Sequence, residues 1–145
     1  MTPYLFTKFA ISTGMLVFCV VLHGAGLFSL NKAMQTEANL ERLRRMTALS
    51  LRGSLFTLVI VLALIAVHAI EIWAYAILYL GIGAISGLED SLYYSTISYS
   101  TVGYNDELIH QDWKLLGAFE SIVGMILIGW STAFFFRMLG RIDGN

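Results

Sequence analysis

Three long apolar stretches separated by two polar intervals organise this chain: Phe9 to Leu30, Ser54 to about Leu80, and Leu115 to Leu139. Each meets or exceeds the about 20 residues that a helix needs to cross bilayer hydrocarbon, and each is predicted to be a transmembrane helix. The interval between the first two, Asn31 to Gly53, is polar and basic. The interval between the second and third, Gly81 to Lys114, is too polar to span a membrane and too apolar for a plain loop. A segment of that character is predicted to re-enter the membrane, because irregular backbone at that depth is tolerated only where protein or a water-filled cavity surrounds it.

Composition strengthens this picture. The 145 residues are 57% hydrophobic and 13% charged, with one proline, which is more apolar surface than a soluble core needs. The lone Cys19 has no partner for a disulfide and is expected to act as a small packing or lipid-facing residue. The first stretch carries only Lys8 before it and lacks a small-x-small cleavage site, so it reads as a retained helix and not as a secretory signal. No internal repeat, low-complexity tract or linker divides the chain.

The most informative residues lie inside the second interval, in the hydrophilic island Ser100-Thr101-Val102-Gly103-Tyr104-Asn105-Asp106. Upstream stands Leu92-Tyr93-Tyr94-Ser95, and downstream Trp113-Lys114-Leu115-Leu116-Gly117, followed by Gly124 and Gly129. From Arg52 to Arg137 these residues resemble the two-helix pore module of the tetrameric potassium-channel pore-loop superfamily, and more closely the small prokaryotic ion-channel proteins built around it. Thr-Val-Gly-Tyr alone is a weak signal. Behind a short amphipathic helix and between two spanning helices it is a specific one.

The resemblance implies an all-α membrane protein of three transmembrane helices, with a re-entrant pore helix and filter loop between the second and third, assembled around a fourfold axis. It divides the chain into an N-terminal span with a basic connector (1–53) and a pore domain (54–145). It implies that four copies of Thr101, Val102, Gly103 and Tyr104 aim carbonyl oxygens at a shared axis and replace the hydration shell of K+, the Thr101 hydroxyl adding the innermost layer. Tyr93 and Tyr94 are then expected to form an aromatic cuff with Tyr104, and Asp106 to support the filter from its outer end. The pore helix is predicted from about Asp90 to Ser98, capped by Glu89 or Ser91, with its carboxyl-terminal partial charge toward the ion path.

Two departures from the family pattern matter. Carbonyls can face one axis only if the backbone visits left-handed conformations, which Gly103 permits. The next such position is normally glycine and here is Asn105, a residue that tolerates positive φ at a cost of about 1 kcal/mol. Asn105 then forms the outermost ring, and this motivates an alternative reading as a weakly selective monovalent cation channel. Ile97 stands where many relatives carry a glutamate that hydrogen-bonds behind the filter, so that support must come from elsewhere.

Orientation follows from the resemblance and from charge. If the filter threonine faces the cytoplasm, the C-terminus lies inside and the N-terminus outside. Lys32, Arg42, Arg44, Arg45, Arg52, Arg137 and Arg141 then fall on the cytoplasmic side against Lys8 and Lys114 outside, the bias that topology rules require of an inner or plasma membrane protein. Glu89, Asp90, Asp106, Glu107 and Asp112 flank the island on the outer side and favour cations over anions. The segment from Thr36 to Gly53 is expected to lie on the membrane surface as a basic amphipathic helix touching anionic lipid, or to be a solvated connector.

Several further residues are candidates for support or gating. His68 and Glu71 share one face of the second span. A metal site is disfavoured because the sequence offers no third ligand nearby, and a hydrogen-bonded brace to the pore helix or to Glu120 is the preferred reading. Gly124 and Gly129 are read as hinges or packing notches, with Gly124 at the family's bending distance. Ser131 and Thr132 are expected to line an inner vestibule, and Phe134 to Phe136 to constrict it or to meet lipid. No arginine ladder marks a voltage sensor.

The sequence thus predicts a homotetrameric potassium channel conducting passively, with K+ as its only cofactor, the bilayer as its environment and no nucleic-acid partner. A non-conducting scaffold or regulatory subunit is the rival reading. An enzyme would have to rest on His68, Glu71 and Ser131, for which no nucleophile-base spacing stands out.

Overall fold

The computed structural model describes residues 3–36, 50–103 and 107–143. The described residues form α1 (Pro3–Met34), α2 (Leu51–Gly81), α3 (Leu88–Tyr99) and α4 (Lys114–Asp143), with a 3-10 turn at Gln111–Trp113 leading into α4. No strand occurs among the described residues. Three segments are long and apolar enough to cross a membrane: Tyr4–Met34, Leu51–Gly81 and Gln111–Gly140. They contain the three predicted stretches and extend each of them. At 1.5 Å per residue α1 reaches about 48 Å, well beyond the about 30 Å of hydrocarbon, so polar flanking turns continue the helices past the apolar runs.

Local signals set the ends of α2. Ser50 caps its start, the hydroxyl accepting a hydrogen bond from the Gly53 amide at 3.1 Å. Its end is a Schellman motif: Ala84 N–H donates to the Tyr79 carbonyl (2.9 Å) and Gly83 N–H to the Leu80 carbonyl (3.2 Å), with Gly83 at φ +68°. The chain then turns at Gly87 (φ +98°) into α3.

Here the sequence expectation is corrected. Neither Glu89 nor Ser91 caps α3, whose N-cap is Gly87 without a side-chain bond. Because the helix starts earlier, Glu89 and Asp90 fall in its first turn, where carboxylates complement the helix dipole. Ser91 instead donates its hydroxyl proton to the Gly87 carbonyl at 2.8 Å.

Two apolar clusters hold the bundle. One joins Cys19 of α1, Tyr75 and Tyr79 of α2, Tyr94 of α3, and Leu116, Val123 and Leu127 of α4. The other joins Leu27 and Met34 to Ile60, Leu64, Phe134 and Met138. The ion pair of Lys8 with Asp112 (3.2 Å) ties the start of α1 to the turn before α4. The helices α1 and α4 therefore run parallel, with α2 antiparallel to both. The connection after the island is pinned as well, because His110 N–H donates to the Ala84 carbonyl at 2.9 Å.

Candidate functional site

The twelve residues of α3 make about 18 Å of helix, too short to cross hydrocarbon. The helix lies against α2 and α4 with Ser91, Tyr94, Ser95, Ile97, Ser98 and Tyr99 buried. Beyond Tyr99 the chain folds back on the last turn: Thr101 N–H donates to the Ser98 carbonyl and Gly103 N–H to the Ile97 carbonyl, both at 2.9 Å.

The conformation of this segment is unusual. Thr101 has φ +64° and Gly103 φ +52°, with Val102 between them outside the left-handed region. A β-branched residue at positive φ is an outlier costing about 1–2 kcal/mol, and such conformations persist where the surroundings impose them. A left-handed Gly103 follows from the sequence, whereas a left-handed Thr101 does not. The alternation implied by Gly103 and Asn105 extends one step further back, and that period of two was the available signal. Thr101, Val102 and Gly103 are exposed in the single chain, Val102 by 59%. Tyr104, Asn105 and Asp106 lie outside the described residues.

Two fully buried carboxylates brace α3 from behind. Glu120 of α4 accepts from Ser95 Oγ (2.5 Å) and from Tyr79 Oη (2.6 Å). Glu71 of α2 accepts the hydroxyl of Tyr99, the last residue of α3, and meets His23 Nδ1 of α1 at 3.0 Å and His68 Nδ1 at 3.3 Å. His68 Nδ1 also lies 2.8 Å from the Tyr99 hydroxyl. Below the two imidazoles sits Ser131 of α4, its Oγ 3.0 Å from His68 Nε2 and 3.2 Å from His23 Nε2.

Glu71 is therefore hydrogen-bonded to α3 through Tyr99, which His68 also meets, while Glu120 is bonded to α3 through Ser95. The second basic group, His23, has no local signal for this contact in the sequence because it lies 48 residues from Glu71. A histidine inside an apolar span was the signal. Ser131 does not line a vestibule: it is buried against the two histidines, and α4 is apolar on all sides, so the pattern could not tell which face it presents. Ser131, His68 and Glu71 stand in the connectivity of a nucleophile, base and orienting acid. Ser131 lies within a helix, however, where the neighbouring N–H groups are consumed by the helix itself and do not serve as oxyanion donors.

Close packing fixes α4 on α3. A Cβ at Gly124 would fall onto the Tyr99 carbonyl group, and one at Gly117 would fall onto the Tyr94 hydroxyl. Gly129 has nothing within 4 Å. Tyr94 is buried edge-on against Tyr79, with centroids 5.3 Å apart, whereas Tyr93 is 40% exposed. Thr132 is exposed and donates to its own helix at Ile128. Phe134 is not a constriction residue in this chain but part of the lower core, while Phe136 is exposed. Of the acidic residues near the island, Asp112 is paired with Lys8 and does not stand alone. The basic connector's Arg42, Arg44 and Arg45 lie outside the described residues, and Leu51 to Gly53 already belong to α2.

A family model described as an ion channel matches residues 54–141, more than half of the chain. The chain belongs to this ion-channel family. No curated protein and no solved structure matches it. The ion-channel match covers most of α2, all of α3 and most of α4, and leaves α1 outside. His23 is thus brought to the channel module by a helix that the family match does not include.

Proposed function

We propose that four copies of this chain form a potassium channel in which Thr101, Val102, Gly103 and Tyr104 line the ion path and K+ moves passively down its gradient. The observation that carries this reading is the alternation of left-handed backbone at Thr101 and Gly103, directly after a short helix, in a member of an ion-channel family. Alternating handedness turns successive peptide planes to the same side, so consecutive carbonyls can address one line. A single chain offers one such strand, exposed and without a ring around the ion. Fourfold symmetry supplies the missing oxygens.

The remaining assignments follow from that reading. The carboxyl end of α3 directs its partial negative charge at the path. Glu71 and Glu120 hold the strand's position through Tyr99 and Ser95, in place of the glutamate absent at Ile97. Asn105 forms the outer ring and Asp106 supports it, with Tyr93 facing a neighbouring copy. Gly129 has free volume in which α4 can bend, while Gly124 is held against Tyr99. The charge bias supports an orientation with the end of the bundle carrying Lys8 and Asp112 outside and the C-terminus in the cytoplasm of a plasma or inner membrane, with the basic connector at anionic lipid.

Potassium efflux from liposomes containing only the purified chain tests conduction, and an absence of flux would leave the scaffold reading. Asn105 favours the weakly selective cation channel as a second reading. Replacing Asn105→Gly is expected to sharpen the preference for potassium, and an unchanged permeability ratio would remove Asn105 from the account of selectivity.

A further inference from the structure

The group of His23, His68 and Glu71 is more than a brace. Their ligand atoms lie within 4.8 Å of one another on two helices, with His23 and Glu71 fully buried and His68 partly so. The separations of the Glu71 oxygens from His23 Nδ1 (3.0 Å) and His68 Nδ1 (3.3 Å) are notable. Two ligands at 2.0–2.1 Å from a tetrahedral zinc ion stand about 3.3 Å apart, so both contacts already have the spacing of neighbouring ligands. The Tyr99 hydroxyl, bonded to Glu71 and 2.8 Å from His68 Nδ1, occupies the fourth side.

The donors and acceptors around the group also accommodate a cation. Both Nδ1 atoms face Glu71, that of His68 facing the Tyr99 hydroxyl as well, and both Nε2 atoms face the same Ser131 hydroxyl. With a cation on the Nδ1 side, both imidazoles carry their proton on Nε2 and donate to the two lone pairs of Ser131 Oγ. That is the arrangement in which metal-bound histidines are ordinarily oriented, the second nitrogen held by an outer oxygen acceptor.

We propose that His23, His68 and Glu71 bind a divalent transition-metal ion of the zinc class, clamping α1 to α2 with Ser131 as the outer acceptor. Two imidazoles and one carboxylate select such an ion over calcium or magnesium, which prefer oxygen. The site lies behind α3 and does not depend on whether the chain conducts.

The test uses the full chain in detergent, stripped with chelator and titrated with Co2+ and then Zn2+. Visible ligand-field absorption of tetrahedral coordination, saturating at one Co2+ per chain and bleached by Zn2+, is expected. His23→Gln should abolish that spectrum. Ser131→Ala should keep it while weakening affinity by about 10–100-fold. His110→Ala should change nothing, since exposed His110 and Asp112 form the rival place for adventitious binding. Where a variant does not fold, X-ray absorption of the loaded parent chain decides, with imidazole nitrogen in the first shell as the expected result. No tetrahedral spectrum, a spectrum lost in His110→Ala, or a first shell without imidazole would overturn the proposal.

Discussion

Glu71 and Glu120 are the same residue type, each without exposed surface, and each holds the short helix α3 by one hydroxyl. Their surroundings differ. Glu120 meets two hydroxyls, Ser95 and Tyr79, whereas Glu71 meets a tyrosine and two imidazoles brought by α1 and α2. A hydroxyl is a rotor that donates or accepts, so the Glu120 brace is adaptable. An imidazole edge facing a carboxylate is committed to that partner. Burial of a carboxylate therefore says little by itself, and the neighbours decide whether it is a hydrogen-bond post or the centre of a polar network.

Substitution can break this comparison, and the largest effect is expected at Glu71. Glu71→Gln places an amide against two imidazoles and a tyrosine and should cost about 3–5 kcal/mol, as for removing one partner of a buried pair. Thermal unfolding of the detergent-solubilised chain reads that loss. Gly124→Ala comes next, because its Cβ meets the Tyr99 carbonyl and α4 must shift away from α3, at about 1–3 kcal/mol. It should disturb both braces, because α4 carries Glu120 and the clash falls on Tyr99, whose hydroxyl bonds Glu71. Glu120→Gln is expected to cost only about 1 kcal/mol, since the Ser95 or Tyr79 hydroxyl can turn to accept from the new amide. Equal losses at Glu71 and Glu120 would erase the distinction. Smallest is Lys8→Ala, which breaks a partly exposed pair with Asp112 and should shift stability by less than about 1 kcal/mol.

The three spans were legible because length and apolar character act on each helix alone. Helix ends were less so: the start of α3 moved to Leu88 because Gly87 supplies a turn at positive φ that no capping side chain announces. The island was visible as a motif, and the left-handed Gly103 followed from its chemistry, yet Thr101 had to be seen. The network behind it was half visible. His68 and Glu71 share a helix face, so their pairing is local, but His23, Tyr99 and Ser131 reach them across 48, 28 and 63 residues. Helices apolar on every side give no periodic clue to which face turns inward. For that reason Ser131 was read toward a vestibule when it faces histidines.

The central claim is that a ring of backbone oxygens at Thr101 to Tyr104 passes potassium. Single-channel recording of the purified chain with potassium on one side of a bilayer and sodium on the other tests it most directly. Unitary currents reversing near the potassium equilibrium potential are predicted. Currents reversing at zero, or a bilayer that stays silent, would contradict it.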